Sequence, residues 1–277
     1  MSIQWYPGHM AKARREILEN LKHIDVVVEL TDARIPASAR NPDIPEIHRK
    51  PHILAVAKCD LADPACTEIW CQYWRQQREK VVLLDLINGK GINVLRKEIT
   101  KYLTKQKREP RVLVVGIPNV GKSTLINRLA GRSSAKVGAR PGITRGKQWI
   151  NAGGFRLLDT PGLLWPKLED QEAAKRLAVV AAIKDELFDA EEITYWLLEF
   201  LQENYPKLLA KRYGLEDPAV ETGEVFASIG YRRGCLAAGG DIDRLQTAQV
   251  ILKDFRQGLI GPITLELPQR NEQNEGS

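Results

Sequence analysis

Apolar positions along the first 160 residues fall into short, nearly continuous runs, and from about residue 170 they recur instead at helical spacing. The runs are Ile24–Leu30 (IDVVVEL), His52–Asp60 (HILAVAKCD), Lys80–Ile87 (KVVLLDLI) and Arg111–Val115 (RVLVV), with strand patterns following at about Lys147–Asn151 and in GFRLLDT. Runs of this kind are strands buried on both faces. A helical pattern follows each of the first three, so the order β-α-β-α-β-α-β predicts an α/β fold with a mostly parallel sheet flanked by helices. Ahead of it, WYPGHMAKARREILENLKHI predicts a turn at Pro7-Gly8 and a helix over 8–23. Its apolar stripe is Ile17, Leu18, Leu21 and Ile24, with Lys12, Arg14 and Arg15 toward solvent.

From about Asp170 the periodicity predicts four or five helices, punctuated by Pro206, Gly214 and Gly239-Gly240. The expected units are therefore a domain over 1–169, a small all-α domain over 170–268 and a disordered tail over 269–277. The segment ITLELP reads as a short terminal strand. Trp196, Leu197 and Phe200 read as core of the helical unit.

The most specific motif is RVLVVGIPNVGKSTL, which fits G-x-x-x-x-G-K-[ST] with Gly116, Gly121, Lys122 and Ser123, between a predicted strand and a helix ending at Gly131. Phosphate carries dense negative charge, and such a turn aims backbone N–H groups at it, from a helix N-terminus and without a Cβ in the way. Lys122 reaches the outer phosphates and Ser123 offers an oxygen to Mg²⁺. The phosphate-binding set is Asn119, Val120, Gly121, Lys122, Ser123 and Thr124. Three other strands end in polar residues, Asp32-Ala33-Arg34, Lys58 with Asp60, and Asn88-Gly89-Lys90-Gly91. Ligands of parallel sheets bind beyond strand C-termini, so these ends point to one shared site.

Composition narrows the class further. With 277 residues, 43% hydrophobic and 27% charged, the chain has the make-up of a soluble globular protein of about two domains. No run of eighteen apolar residues and no leader pattern is present, so a membrane span is not expected and a cytoplasmic location is. Cys59, Cys66, Cys71 and Cys235 lack zinc-ligand spacing and read as reduced thiols. The net charge of +6 favours an anionic partner. Basic residues Lys207, Lys211, Arg212, Arg232, Arg233, Lys253 and Arg256, with Tyr213, suit RNA backbone and stacking contacts, or a solvated helix face. The same two readings hold for RKEITKYLTKQKREPR, with seven Lys or Arg against two Glu.

Beyond the loop, Thr144 lies in a Gly/Pro-rich segment, and Asp159 opens D-T-P-G, with Gly162 at its end. A carboxylate at a strand end beside a phosphate loop suits a Mg²⁺-positioning role, and a glycine N–H there can sense a γ-phosphate. This combination indicates a GTPase of the translation-factor-like group. The base-reading N-K-x-D element normally follows the phosphate loop, whereas here its nearest match, Ala57-Lys58-Cys59-Asp60, precedes it. That order resembles circularly permuted GTPases. With WYPGHM, DARIPASARNP, GIPNVGKST, PGITRGKQW and ILKDFRQGLIGPITLELP, the whole chain resembles the YlqF/RbgA ribosome-assembly GTPases.

The resemblance implies GTP hydrolysis to GDP at a low intrinsic rate, stimulated by the ribosomal subunit. It implies a GTP state bound to rRNA in a large-subunit precursor during late maturation, released on hydrolysis; the expected state is a monomer, which the sequence itself does not fix. Lys58, Asp60, Asn88 and Gly89 would serve the base; Lys122, Ser123, Thr144 and Asp159 would serve phosphate and Mg²⁺; Asn119 would help hold K⁺. Three departures follow from the pattern. Ala57 stands where Asn is usual, which predicts weaker base affinity; Asp85-Leu86 replaces a Ser-Ala-type turn; Leu163 stands where Ras-like enzymes place a water-orienting Gln. An apolar side chain cannot align water, and the resemblance nominates His9 for that part, a histidine equally readable as an ordinary helix-start residue. A nucleotide-gated RNA-binding module with incidental hydrolysis is the rival reading. A membrane transporter GTPase and the permuted family with an OB-fold and a zinc site both lack their signatures here.

Overall fold

A computed structural model describes residues 15, 17–40, 45–102, 109–131, 148–159 and 170–268. Six strands, β1 (Val26–Asp32), β2 (His52–Ala57), β3 (Val81–Leu83), β4 (Arg111–Gly116), β5 (Gln148–Asn151) and β6 (Arg156–Asp159), form one sheet in the order β3-β2-β1-β4-β6-β5. All neighbours are parallel except β5, which runs antiparallel to β6 at the edge. The phosphate-loop strand β4 thus lies centrally, with β1 on one side and β6 on the other. Strands that precede it in sequence fill one flank, and strands that follow it fill the other.

Both faces are covered, as continuous apolar strands require. On one face Val26, Val28, Leu30, Val112 and Val114 pack with Leu95 and Ile99 of α2 (Ile92–Lys101) and Leu125 and Leu129 of α3 (Lys122–Ala130). On the other, Val27, Leu113, Val115 and Leu158 meet Ile17, Leu21 and Ile24, the stripe expected of the N-terminal helix. Leu54 and Val56 there meet Trp70 and Trp74 of α1 (Pro64–Gln76). Each fully buried aliphatic side chain is worth about 1.5–3 kcal/mol. α1 starts sharply because Pro64 needs no N–H partner and the Asp63 carboxylate accepts from Ala65 N at 2.8 Å.

Five helices follow: α4 (Gln171–Val179), α5 (Ala190–Asn204), α6 (Pro206–Tyr213), α7 (Thr222–Arg233) and α8 (Arg244–Arg256). Asp170, Asp189 and Asp243 cap α4, α5 and α8 through backbone N–H groups. The buried core of these helices is continuous with that of the sheet: Ala174 and Leu177 join it to Leu197, Leu201, Ile251 and Phe255. Leu197 is wholly buried, and Trp196 and Phe200 pack against this core.

Two expectations are corrected. The first crossover, where a helix was predicted, contains among the described residues only a 3-10 turn at Pro45–Arg49, in a stretch whose prolines interrupt α-helical hydrogen bonding. ITLELP is not a strand. It lies as an irregular strap across the sheet's C-terminal edge, where Ile263 N donates to Leu61 O, Leu265 N to Arg34 O, and Trp70 Nε1 to Glu266 O. Its partners are loop carbonyls and an indole rather than a strand ladder, which is why alternation alone misread it.

Candidate nucleotide-binding site

The phosphate loop runs from the end of β4 into α3. Gly116 cannot carry a side chain, because a Cβ there would lie 2.5 Å from Leu30 O. Asn119 (φ 59°) and Gly121 (φ 109°) are both left-handed, and this alternation turns successive N–H groups toward a common point. Val120 is wholly buried and pins the loop from below. At the N-terminus of α3 no side chain caps the helix and no acidic residue occupies its first turn, an arrangement whose dipole favours an anion. Ser123 and Thr124 stand in that turn. Lys122 is 7% exposed, its Nζ donating to Gly116 O at 3.0 Å and Ile117 O at 2.7 Å, so the ammonium is held over the loop it serves. Asn119 Nδ2 donates to Ala181 O at 2.7 Å, tying the loop to the segment after α4.

The residues expected to serve the base arrive from the ends of β2 and β3, beside the end of β1. Lys58 and the exposed Asp60 follow β2. Lys58 is left-handed (φ 58°), a conformation that costs a side-chain-bearing residue about 1–3 kcal/mol and persists only where its surroundings enforce it. Its Nζ lies 3.2 Å from Asp32 Oδ2 at the end of β1. Burial pushes the Lys58 ammonium below its ordinary pKa, against the opposing pull of Asp32. Burial would likewise raise Asp32, yet the Arg34 guanidinium and Lys58 overcome it and hold the carboxyl well below the usual range. After β3, Asp85 accepts from Ile87 N (3.1 Å), Asn88 N (2.9 Å) and Asn88 Nδ2 (2.7 Å), folding the Asn88-Gly89 turn back on itself.

The two halves touch. A Cβ on Gly121 would meet Leu86 Cδ1 at 2.8 Å, and Arg128 of α3 donates to the carbonyls of Leu86 and Ile87. The Asp85-Leu86 departure is thus a built turn seated against the phosphate loop. Neither the Asp32–Lys58 pair nor the Leu86–Gly121 contact was expected from sequence, since each joins residues distant along the chain; the only local signal was a polar Asp-Ala-Arg at a strand end.

On the far side of β4, Asp159 closes β6, whose parallel pairing brings its end to the same edge of the sheet. A serine hydroxyl and a carboxylate are hard oxygen donors of the kind Mg²⁺ takes. His9, Thr144, Gly162, Leu163 and the 269–277 tail lie outside the described residues. The cysteines are free thiols, and burial pushes Cys59 up to about 12, leaving it protonated and inert near neutrality. Among the described residues, Glu29, His48 and His52 gather as metal-ligating types do. Glu29 Oε2, however, already accepts from Arg40 Nη2 at 3.0 Å and faces His52 Nε2 at 3.1 Å, an ion-pair network under the sheet. No helix of the described residues is long and apolar enough to cross a membrane.

The basic residues of the helical region divide. Arg212 and Arg233 both pair with Asp254 at 2.9 Å, Arg233 also lying over the buried Tyr213, and Arg256 binds Asp185 and the carbonyls closing α4. These are structural contacts. Lys207, Lys211, Arg232 and Lys253 are exposed, as is Arg233 despite its ion pair.

A central phosphate loop that follows the β1, β2 and β3 strand ends in sequence and precedes β6 defines a circularly permuted P-loop GTPase that binds guanine nucleotide. Over 281 residues, covering 97% of this chain and 100% of the relative, 48% of positions match the Ribosome biogenesis GTPase A of Bacillus pumilus. The chain belongs to the ribosome biogenesis GTPase A (YlqF/RbgA) family. The 50S ribosome-binding GTPase family model matches residues 111–211. Two solved structures share the fold. A GDP-bound YlqF superimposes with a TM-score of 0.71 at 29% identity, covering 92% of this chain and 99% of that one. A GNP-bound YlqF from T. maritima gives 0.69 at 29% identity, covering 93% and 99%.

Proposed function

We propose that this chain is a GTP-hydrolysing assembly factor for late maturation of the large ribosomal subunit, acting in the cytoplasm as a monomer. In this reading its GTP form binds rRNA of the precursor, the precursor stimulates hydrolysis, and hydrolysis releases the factor. The observation that carries it is the likeness to a Ribosome biogenesis GTPase A along 97% of the chain. Lys58, Asp60 and the Asn88-Gly89 turn hold guanine, Asp60 accepting from its N1 and N2 groups. Residues 119–124 hold the phosphates, and Gly162 senses the γ-phosphate. Ser123, Thr144 and Asp159 hold Mg²⁺, which when bound neutralises charge on the β- and γ-phosphates. Asn119, whose amide nitrogen donates to Ala181 O, is the residue assigned to help hold K⁺.

Leu163 cannot orient water, so the unaided rate is low, and His9 is the group assigned to position it. Exposed Lys207, Lys211, Arg232 and Lys253 form the phosphate-contacting face of the helical unit 170–268. The test is GTP turnover with and without precursor large subunits, for the protein and for His9→Ala. Stimulation that His9→Ala abolishes is the expected result; turnover indifferent to subunits sinks the reading.

A further inference from the structure

The base-reading element of this chain lacks its asparagine, and the structure shows what stands beside the gap. Parallel pairing sets Asp32 of β1 opposite Ala57 of β2, on the same face of the sheet. Ala57 is wholly buried and has only a methyl group, so it offers Asp32 no polar partner. The Lys58 ammonium does, 3.2 Å from Asp32 Oδ2. The carboxylate cannot rotate away. Its Oδ1 accepts from Arg34 N and Arg34 Nε, both at 3.0 Å, and its Oδ2 from Arg34 Nη2 at 2.8 Å. Arg34 is itself fixed, 1% exposed, with its guanidinium carbon 5.4 Å from the Phe255 ring centre in α8 and its carbonyl accepting Leu265 N at 2.8 Å.

We propose that Asp32, clamped by Arg34, is the positioning residue that holds Lys58 in place for guanine-nucleotide binding, compensating for the Ala at position 57. The inference rests on the reading that Lys58 and Asp60 hold the base. Lysine is a flexible stem that loses rotamer entropy when a ligand orders it. A stem anchored at its tip before the nucleotide arrives has already lost that freedom, and binding is stronger for it. The side chain of Lys58 keeps a quarter of its surface exposed, at the strand end where Asp60 emerges.

The test is GDP affinity of the full chain, Asp32→Asn, Lys58→Ala and the double variant, with steady-state GTP kinetics alongside. The expected result is a loss of about tenfold for Asp32→Asn, the scale of one charge-assisted hydrogen bond, appearing in KM rather than kcat. In the Lys58→Ala background the same substitution has no further effect, because Asp32 acts only through Lys58. Additive losses overturn the positioning role while leaving the base reading intact; unchanged affinity in Lys58→Ala overturns the base reading itself. Should Asp32→Asn not fold, the wild-type chain decides by NMR. An anchored Lys58 gives a slowly exchanging ammonium signal in nucleotide-free protein, absent in Lys58→Arg, and the lack of such a signal overturns the proposal.

Discussion

In the proposed site the phosphate half comes from eight consecutive residues, Gly116–Ser123, and would work mainly through backbone, whereas the base half is gathered from the ends of β1, β2 and β3 and would work through side chains. The first needs little beyond a strand, a turn and a helix start. The second needs the whole parallel sheet to be in register before Asp32 can reach Lys58. A permuted chain tolerates this division because the sheet, rather than sequence order, brings the halves together. Leu86 against Gly121, and Arg128 against the Leu86 and Ile87 carbonyls, are the direct seams between them.

The largest effect expected is in the phosphate half. Lys122→Ala removes the ammonium and leaves two loop carbonyls without their donor, and calorimetry should show GTP affinity falling by about 100-fold or more. Next comes the seam. Gly121→Ala puts a Cβ into Leu86 at a left-handed position, with an expected stability loss of about 1–3 kcal/mol in denaturant titration. Adding Leu86→Ala should restore only part of it, the steric share; full restoration would mean that backbone strain at Gly121 is negligible.

The proposed base half is braced from outside by the strap. Glu266 accepts from Ala37 N (2.6 Å), Ser38 N (2.8 Å) and Ser38 Oγ (2.6 Å) and faces Arg176 of α4 at 3.5 Å. Glu266→Ala should therefore cost about 1–3 kcal/mol in thermal melts, the penalty of leaving such donors unpaired, while leaving the phosphate half untouched.

The smallest change is one of slope at low pH. His52 and Arg40 overcome the effect of burial and lower Glu29 from 4.5 to about 2 in the folded chain. The folded carboxyl therefore binds its proton more weakly than the unfolded one. Its contribution to stability is complete above the unfolded value and fades as pH falls toward 2. Urea titrations across that window should show a shallower acid limb in Glu29→Gln than in the wild-type chain.

Much of this was legible in the residues. The strand runs, the N-terminal stripe of Ile17, Leu21 and Ile24 and the loop signature are local patterns, and the structure places them as periodicity requires. The inverted order of Lys58-Cys59-Asp60 and GKST is equally visible on the page. The strap was not, because a segment bound through scattered loop carbonyls carries no period. Nor was the partition of the basic residues: whether Arg212 meets solvent or Asp254 depends on how α6 and α8 pack, and no spacing within one helix encodes that. The Asp32–Lys58 pair needed the β1–β2 register, which sequence leaves open.

The most direct test of the central claim is a nucleotide panel. Binding of GDP, ADP and xanthosine diphosphate should be measured for the wild-type chain and Asp60→Asn. If Asp60 reads the base from its place before the phosphate loop, the wild-type chain prefers GDP, and Asp60→Asn shifts preference to the xanthine nucleotide by about 100-fold, as loss of paired charge-assisted hydrogen bonds implies. A preference that Asp60→Asn leaves unchanged would contradict the account.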